Sequence, residues 1–335
     1  MKKRIWIAGI LAVLLGLAGC AEGQGVLSPT AAPTDAPTAQ PSDASTEPPA
    51  VAPTMSPTPA DSASPTPDAT ASPAPSGTAT DTPSDAPSAA VTATPSPMPT
   101  AQNLDAIEAL DGKKQTWGPG KEMDDDNRPV AALQLQEQFG SYDAIFIGEK
   151  TETLYLTFDE GYENGYTGQI LDTLKAKGVQ ATFFVTYPYV QKNPDLVRRM
   201  IDEGHVVGNH TWNHPSLPTL SLEEMRDEIM KLHNYVESNF GYSMSILRPP
   251  MGEFSTQSLA MTQALGYKTA LWSFAYADWD PDKQMGPEAA LQKITAAAHP
   301  GAVYLLHAVS RDNAQILGSW IDRMQQEGYG ILPLR

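Results

Sequence analysis

Leu154-Tyr-Leu-Thr-Phe-Asp-Glu-Gly-Tyr-Glu-Asn-Gly-Tyr166 is the stretch on which the reading of this chain turns. An apolar, β-rich run ends abruptly in two adjacent carboxylates, Asp159 and Glu160, and Gly161 follows. Side chains alternate across a strand, so neighbouring acids share one site only where the backbone bends between them. Gly161 permits that bend, and both acids are expected at one site. The plainer alternative is a strand capped by solvated acids. Against it stands a set of further polar residues downstream, each at the end of its own apolar run.

Working outward, short β-rich runs alternate with helical ones. Strands are expected at Leu154–Asp159, Ala181–Thr186, His205–Asn209, Ser245–Arg248, Thr269–Ser273, Ala302–His307 and Gly330–Leu332. Helices are expected at Gly165–Lys177, Pro194–Glu203, Leu222–Asn239, Thr256–Leu265, Pro287–Ala298 and Asp312–Glu327. Ser221 and Glu224 have the spacing of a capping box at the start of the third helix. Gly178, Gly204, Gly241, Gly266 and Gly328 follow helices as C-terminal glycines do. The alternation predicts an α/β fold, a distorted and incomplete (β/α) barrel of about seven parallel strands, with chemistry at the strands' C-terminal ends. An open doubly wound sheet is the alternative. No Gly-x-Gly-x-x-Gly and no Walker loop occurs, so neither a nucleotide nor a nucleic acid is expected as a partner.

On that rim fall Asp159 and Glu160, His210 and His214 in Asn209-His-Thr-Trp-Asn-His-Pro215, Arg248 in Arg-Pro-Pro-Met-Gly252, Asp278-Trp279, and His307. His210 and His214 have the spacing of a zinc pair, although Pro215 disfavours helical geometry at His214, so a turn or frayed first turn is expected. Two histidines and a carboxylate leave metal positions open for water and substrate. Arg248, stiffened by two prolines and expected beside Asp278, either orients a neighbouring acid or forms a structural salt bridge. His307 closes an apolar run, where a buried structural histidine is usual, but its rim position suits a general acid. Leu305 faces the same way and would offer an apolar wall.

Together these blocks resemble the polysaccharide deacetylases, carbohydrate esterase family four, which carry the NodB-homology domain. The resemblance runs over Thr157–Gly161, His210–His214, Arg248–Gly252, Asp278-Trp279 and Leu305–His307, in that order. It implies Asp159 as general base, His210 and His214 as metal ligands with Glu160 as the third, and His307 as the acid that protonates the leaving amine. It further implies that Asp278 holds Arg248, which orients Asp159, and that Trp279 and Leu305 line the acetyl pocket near the Met251 backbone. The metal would be zinc or another transition metal such as cobalt. Two departures are visible: Glu160 replaces an aspartate of the family, and Met251 an aromatic. Gly161–Thr167, Phe274–Asp280 and His307–Asn313 are most similar to the delta-lactam-biosynthetic de-N-acetylases, whose resemblance extends upstream to Trp117. That branch implies removal of acetyl from N-acetylmuramic acid in peptidoglycan. Deacetylation of N-acetylglucosamine polymers, O-acetyl esterase activity and a non-catalytic wall-binding lipoprotein remain alternatives. A glycosidase would need carboxylates about 5 to 9.5 Å apart across a sugar bond, which adjacent acids suit poorly.

The N-terminus places this domain. Lys2, Lys3 and Arg4 precede an apolar run to Leu17, too short to span a bilayer, and Leu17-Ala-Gly-Cys20 resembles a lipobox. Residues 1–20 are therefore expected to be a lipoprotein signal peptide with Cys20 lipidated, anchoring the protein to the outer face of the cell membrane. Cys20 is the only cysteine, so no intrachain disulfide is possible. Residues 21–102 contain no lysine, arginine or aromatic residue and hold 18 of the 30 prolines. Such a segment cannot build a core, and a disordered acidic tether is expected there. Eight acids in it account for close to half of the net charge of −17, so the acidity describes the tether, not the substrate. Residues 103–335 remain for one folded domain, with its core motifs in 154–335 and peptidoglycan glycan strands as the expected partner. Its first fifty residues are expected to be irregular apart from a helix at Val130–Phe139. There Asp124-Asp125-Asp126 reads as a solvated turn, because it lacks the spacing of a calcium loop.

Overall fold

The computed structural model describes residues 101–335. The proposed signal peptide, Cys20 and almost all of the tether lie outside the described residues. The first segment contributes α1 (Ala101–Glu108), β1 (Gln115–Thr116), α2 (Val130–Phe139) and β2 (Ala144–Ile145). The alternating region follows with β3 (Thr153–Glu160), α3 (Thr167–Lys177), β4 (Thr182–Val185), α4 (Tyr187–Lys192), α5 (Pro194–Asp202) and β5 (Val206–Asn209). After α6 (Leu222–Phe240) come β6 (Ile246–Leu247), β7 (Glu253–Phe254), α7 (Thr256–Ala264), β8 (Lys268–Ala270) and β9 (Phe274–Ala275). The chain ends with α8 (Pro287–Ala296), β10 (Ala302–His307), α9 (Arg311–Gln326) and β11 (Gly330–Leu332).

Nine of these strands form one sheet in the order β2-β8-β6-β5-β4-β3-β10-β9, and β11 joins β3 beside its first residues. Every pairing in this sheet is parallel. β8 stands next to one end of that order and β9 at the other end, yet both belong to the single stretch Lys268–Ala275. Its first half pairs with β6 and β2, and its second half with β10. The sheet therefore curls back on itself into a distorted barrel, as expected, with more strands than the seven the pattern displayed. The strands missed in it, β2 and β9, have two residues each, too short to show a period.

Alternation along β3 sorts its side chains into two layers. Leu154, Leu156 and Phe158 are fully buried against the helices, in a cluster with Phe183, Leu306 and Trp320. Tyr155, Thr157 and Asp159 fall on the other face, where Phe184, Val303, Leu305 and Trp272 fill the interior. Each large apolar side chain buried is worth about 1.5 to 3 kcal/mol, and slipping β3 by one residue would expose the whole set to the wrong layer. The register that delivers Asp159 to the interior is held by its helix-facing neighbours.

Local signals behave as read. Ser221 Oγ accepts from Glu224 N at 3.3 Å and Glu224 Oε2 accepts from Ser221 N at 2.9 Å, completing the capping box. Gly178 and Gly241 close their helices at φ 65°. The opening fifty residues are more ordered than expected. β1 pairs antiparallel with β7, and Trp117 Nε1 donates to Trp272 O at 2.8 Å, so this segment buttresses the loop that follows Arg248.

Candidate active site

At the C-terminal mouth of the barrel lies a cavity of about 690 Å³ whose lining includes Asp159, His210, His214, Met251, Trp279 and His307. Leu305 also lines it. Asp159 and His307 are direct partners in the register of β3 with β10, and so share a face.

Arg248 is fully buried. Its Nη1 donates to Asp159 Oδ1 at 2.8 Å, while Nε and Nη2 donate to the carbonyls of Ala270 and Leu271 at 3.3 and 3.2 Å. The guanidinium carbon lies 4.2 Å from the Phe184 ring centroid. Burial alone would raise the Asp159 pKa, but the charge and hydrogen bond of Arg248, together with His210 and His307 nearby, outweigh it and hold the carboxyl below its ordinary value. Asp159 is thus kept ionised with one oxygen occupied and Oδ2 turned toward His210 Nε2, 3.5 Å away.

The two histidines meet through a turn. Thr211 and His214 adopt positive φ, 69° and 61°, and the His214 amide donates to Thr211 Oγ1 at 3.0 Å. Backbone in this region is costly for a β-branched residue and is retained where surrounding contacts demand it. The ring centroids of His210 and His214 come within 4.7 Å. His210 Nδ1 donates to Arg248 O at 2.8 Å, which leaves the Nε2 lone pair facing the cavity. Burial depresses His210 to about 4 and also lowers His214, so both imidazoles are neutral near pH 7. A neutral, oriented pair of this kind has the chemistry of a divalent-metal site.

Glu160 does not join them. β3 continues straight through it, paired with Val185, so alternation sends its carboxylate into the helix layer. There it is fully buried, with neither oxygen hydrogen-bonded, and Thr167 close by. Burial, with Glu163 and Asp159 nearby, pushes its pKa well above the ordinary value. Among the described residues no three His, Cys, Asp or Glu side chains form a metal-holding group. The expectation that Gly161 would turn both acids into one site fails because the bend comes one residue too late.

Asp278 is also placed differently from expectation. Instead of holding Arg248, its Oδ1 accepts from His307 Nδ1 at 2.7 Å and its Oδ2 from the His307 amide at 2.8 Å. Burial would lower the His307 pKa, but the hydrogen bond and charge of Asp278 outweigh it and raise it. Trp279, next along and 56% exposed, stands edge-on to the His307 ring at 6.0 Å between centroids. Met251 is another exposed wall residue, its backbone strained to φ 59° beside Gly252.

Sequence reading missed Asn313, which holds Asp278, and Trp272 and Tyr162, which complete the cavity wall. Asn313 lay in a quoted stretch but carried no spacing signal that tied it to Asp278.

Residues 148–270 match the family model described as polysaccharide deacetylase. Over 224 residues, 66% of this chain and 85% of the other, the sequence is 43% identical to the peptidoglycan-N-acetylmuramic acid deacetylase PdaA of Bacillus subtilis. The chain belongs to the polysaccharide deacetylase family. Among solved structures, that of Bacillus subtilis PdaA, a family 4 carbohydrate esterase, superposes with TM-score 0.63 at 42% identity, covering 66% of this chain and 95% of that one. A family 4 carbohydrate esterase from Bacillus anthracis superposes with TM-score 0.56 at 36% identity, covering 67% and 96%. Membership in this family of deacetylases accounts for a barrel whose mouth gathers an ionised aspartate, two neutral histidines and a protonatable third.

Proposed function

We propose that the protein is a hydrolase that removes N-acetyl groups from peptidoglycan, from N-acetylmuramic acid in particular, as in muramic delta-lactam formation. The observation that carries this is the pairing, on one cavity wall at the ends of two adjacent strands, of Asp159 held ionised by Arg248 and His307 held protonatable by Asp278. Its likeness to PdaA supplies the substrate class.

Amide hydrolysis needs a base for water and an acid for a poor leaving amine. Asp159 takes the proton from water through Oδ2, the oxygen that Arg248 leaves free. His307 delivers a proton to the departing nitrogen. Trp279 and Leu305 enclose the acetyl methyl, and the Met251 backbone N–H faces the developing oxyanion. A divalent metal, zinc or another transition metal such as cobalt, would be held by His210 and His214 and would polarise the acetyl carbonyl when bound. Glu160 is not a ligand in this reading, so a metal held by the two imidazoles is expected to exchange readily.

The site works outside the cytoplasm on cell-wall glycan strands, with the protein anchored through Cys20 and the proline-rich tether giving it reach. Labelled palmitate incorporated by the full chain and lost in Cys20→Ser would test the anchor. For the activity, the protein is incubated with peptide-stripped peptidoglycan, and free acetate and glycan masses are followed. Loss of one acetyl mass from muramic residues, abolished in Asp159→Asn, is the expected result. Acetate from N-acetylglucosamine residues alone would move the substrate, and no acetate with any added metal would overturn the catalytic reading.

A further inference from the structure

We propose that Asn313 is a positioning residue for this reaction: it locks the Asp278 carboxylate so that His307 is held in one orientation, and its loss costs turnover more than substrate binding. The inference rests on the deacetylase reading above.

The first turn of α9 grips the loop that carries Asp278 and Trp279. Ser310 Oγ donates to Gln284 Oε1 at 2.6 Å, and Gly286 N donates to Asp312 Oδ2 at 2.6 Å. Asn313, only 1% exposed, sits at the centre of this clasp. Its Nδ2 donates to Asp278 Oδ2 at 2.6 Å and to the His307 carbonyl at 3.2 Å. Its Oδ1 accepts from the Tyr276 hydroxyl, and its own amide donates to Ser310 Oγ at 3.1 Å. One side chain thus touches Tyr276, two residues before the loop's acid, the acid itself and the backbone of the histidine.

The need for it follows from the rest of the Asp278 environment. The carboxylate is 1% exposed, and the other donors that reach it are the amide and imidazole of His307 itself. A carboxylate bound only to the residue it must orient can turn together with that residue. Asn313, anchored in α9, supplies the reference from outside the pair. A buried carboxylate that loses a donor also carries an unmet desolvation cost, which favours a changed rotamer. Tyr276 in turn fixes which end of the Asn313 amide points at Asp278, since its hydroxyl donates to the oxygen.

The test compares Asn313→Leu, which keeps the bulk and removes the amide, with Asp312→Asn, which alters the neighbouring clasp bond without touching Asp278. Measurements are made on the full chain: kcat and KM for acetate release from peptidoglycan, thermal melting, and the downfield proton resonance of the His307 Nδ1–H, identified by its loss in His307→Gln. For Asn313→Leu, kcat should fall about 10- to 100-fold with KM changed less than about threefold. The His307 resonance should broaden or vanish in the same variant. Asp312→Asn should keep the resonance and kcat within about twofold of the parent. Retention of kcat and of the resonance in Asn313→Leu would overturn the proposal, as would equal losses in the two variants, which would mark a general effect on stability. Should the parent protein release no acetate, the resonance comparison still decides whether Asn313 orients His307.

Discussion

Asp159 and Glu160, consecutive in the chain, lie on opposite faces of the same sheet: one is turned into the cavity with Arg248 on it, the other is sealed beneath α3 and α4 with no hydrogen-bond partner. The two acids have opposite electrostatic fates. Arg248, with His210 and His307, outweighs burial and lowers the pKa of the first, and burial raises that of the second.

A raised carboxyl pKa means that the folded state holds its proton more tightly than the unfolded chain does. The stability linked to Glu160 is therefore full below the unfolded value near 4.5 and is lost as pH rises through the raised value. Glu160→Gln removes this dependence. Its melting temperature should exceed that of the parent at pH 8 by about 3 °C or more, with the gain vanishing below about pH 4.5. An equal shift at every pH would count against it.

Metal content separates the histidines from Glu160. After incubation with zinc and gel filtration, His210→Ala and His214→Ala should retain at least about tenfold less metal than the parent, while Glu160→Gln should match it. Parallel loss in Glu160→Gln would return that carboxylate to the site.

Arg248 places three N–H groups at fixed angles on Asp159 and two carbonyls, a fork that lysine cannot reproduce. Arg248→Lys should lower kcat about 100-fold by misplacing the base. Unchanged turnover in a folded variant would show that Asp159 needs no such support.

The His307 proton is retained to higher pH than in an ordinary histidine because of Asp278. Activity that needs it is full below the raised value and falls as pH climbs through it. In Asp278→Asn burial and the Arg248 charge, which lower the pKa, are opposed by the Asp159 charge alone, so the alkaline limb of the kcat profile should move to lower pH by about one unit or more. A limb that stays in place would assign it to another group.

Gly252 has φ 65°, and a Cβ there would stand 2.6 Å from the Trp272 ring. Gly252→Ala should destabilise the fold by about 1 to 3 kcal/mol and shift the Trp272 environment, seen as a lower melting temperature and altered tryptophan emission. Parent-like melting and emission would show that the loop yields freely.

The rim residues were legible because each ends an apolar run, and strand direction alone brings such ends together. Asp159, His210, His214, Arg248 and His307 meet as that reasoning requires. Pro215 correctly pointed to a turn at His214, which positive φ at Thr211 and His214 now explains. Glu160 was misread because its fate depends on whether β3 bends before or after it, a one-residue difference that a following glycine cannot settle. Asp278 was paired with Arg248 because sequence shows which residues reach a rim, but not which neighbours pair along it. Two-residue strands such as β1 and β9 exist through their partners and leave no periodic trace.

The stretch Lys268–Ala275 supplies β9 at one end of the strand order and β8 next to the other end, and so ties the two ends of the curled sheet together. On one side its carbonyls at Ala270 and Leu271 seat Arg248, and on the other it pairs with the strand that ends in His307. It acts as a tie between the strand that leads into Arg248 and the strand that ends in His307. A single inserted residue there would shift the seat of Arg248 relative to β10 while leaving every catalytic side chain in the sequence.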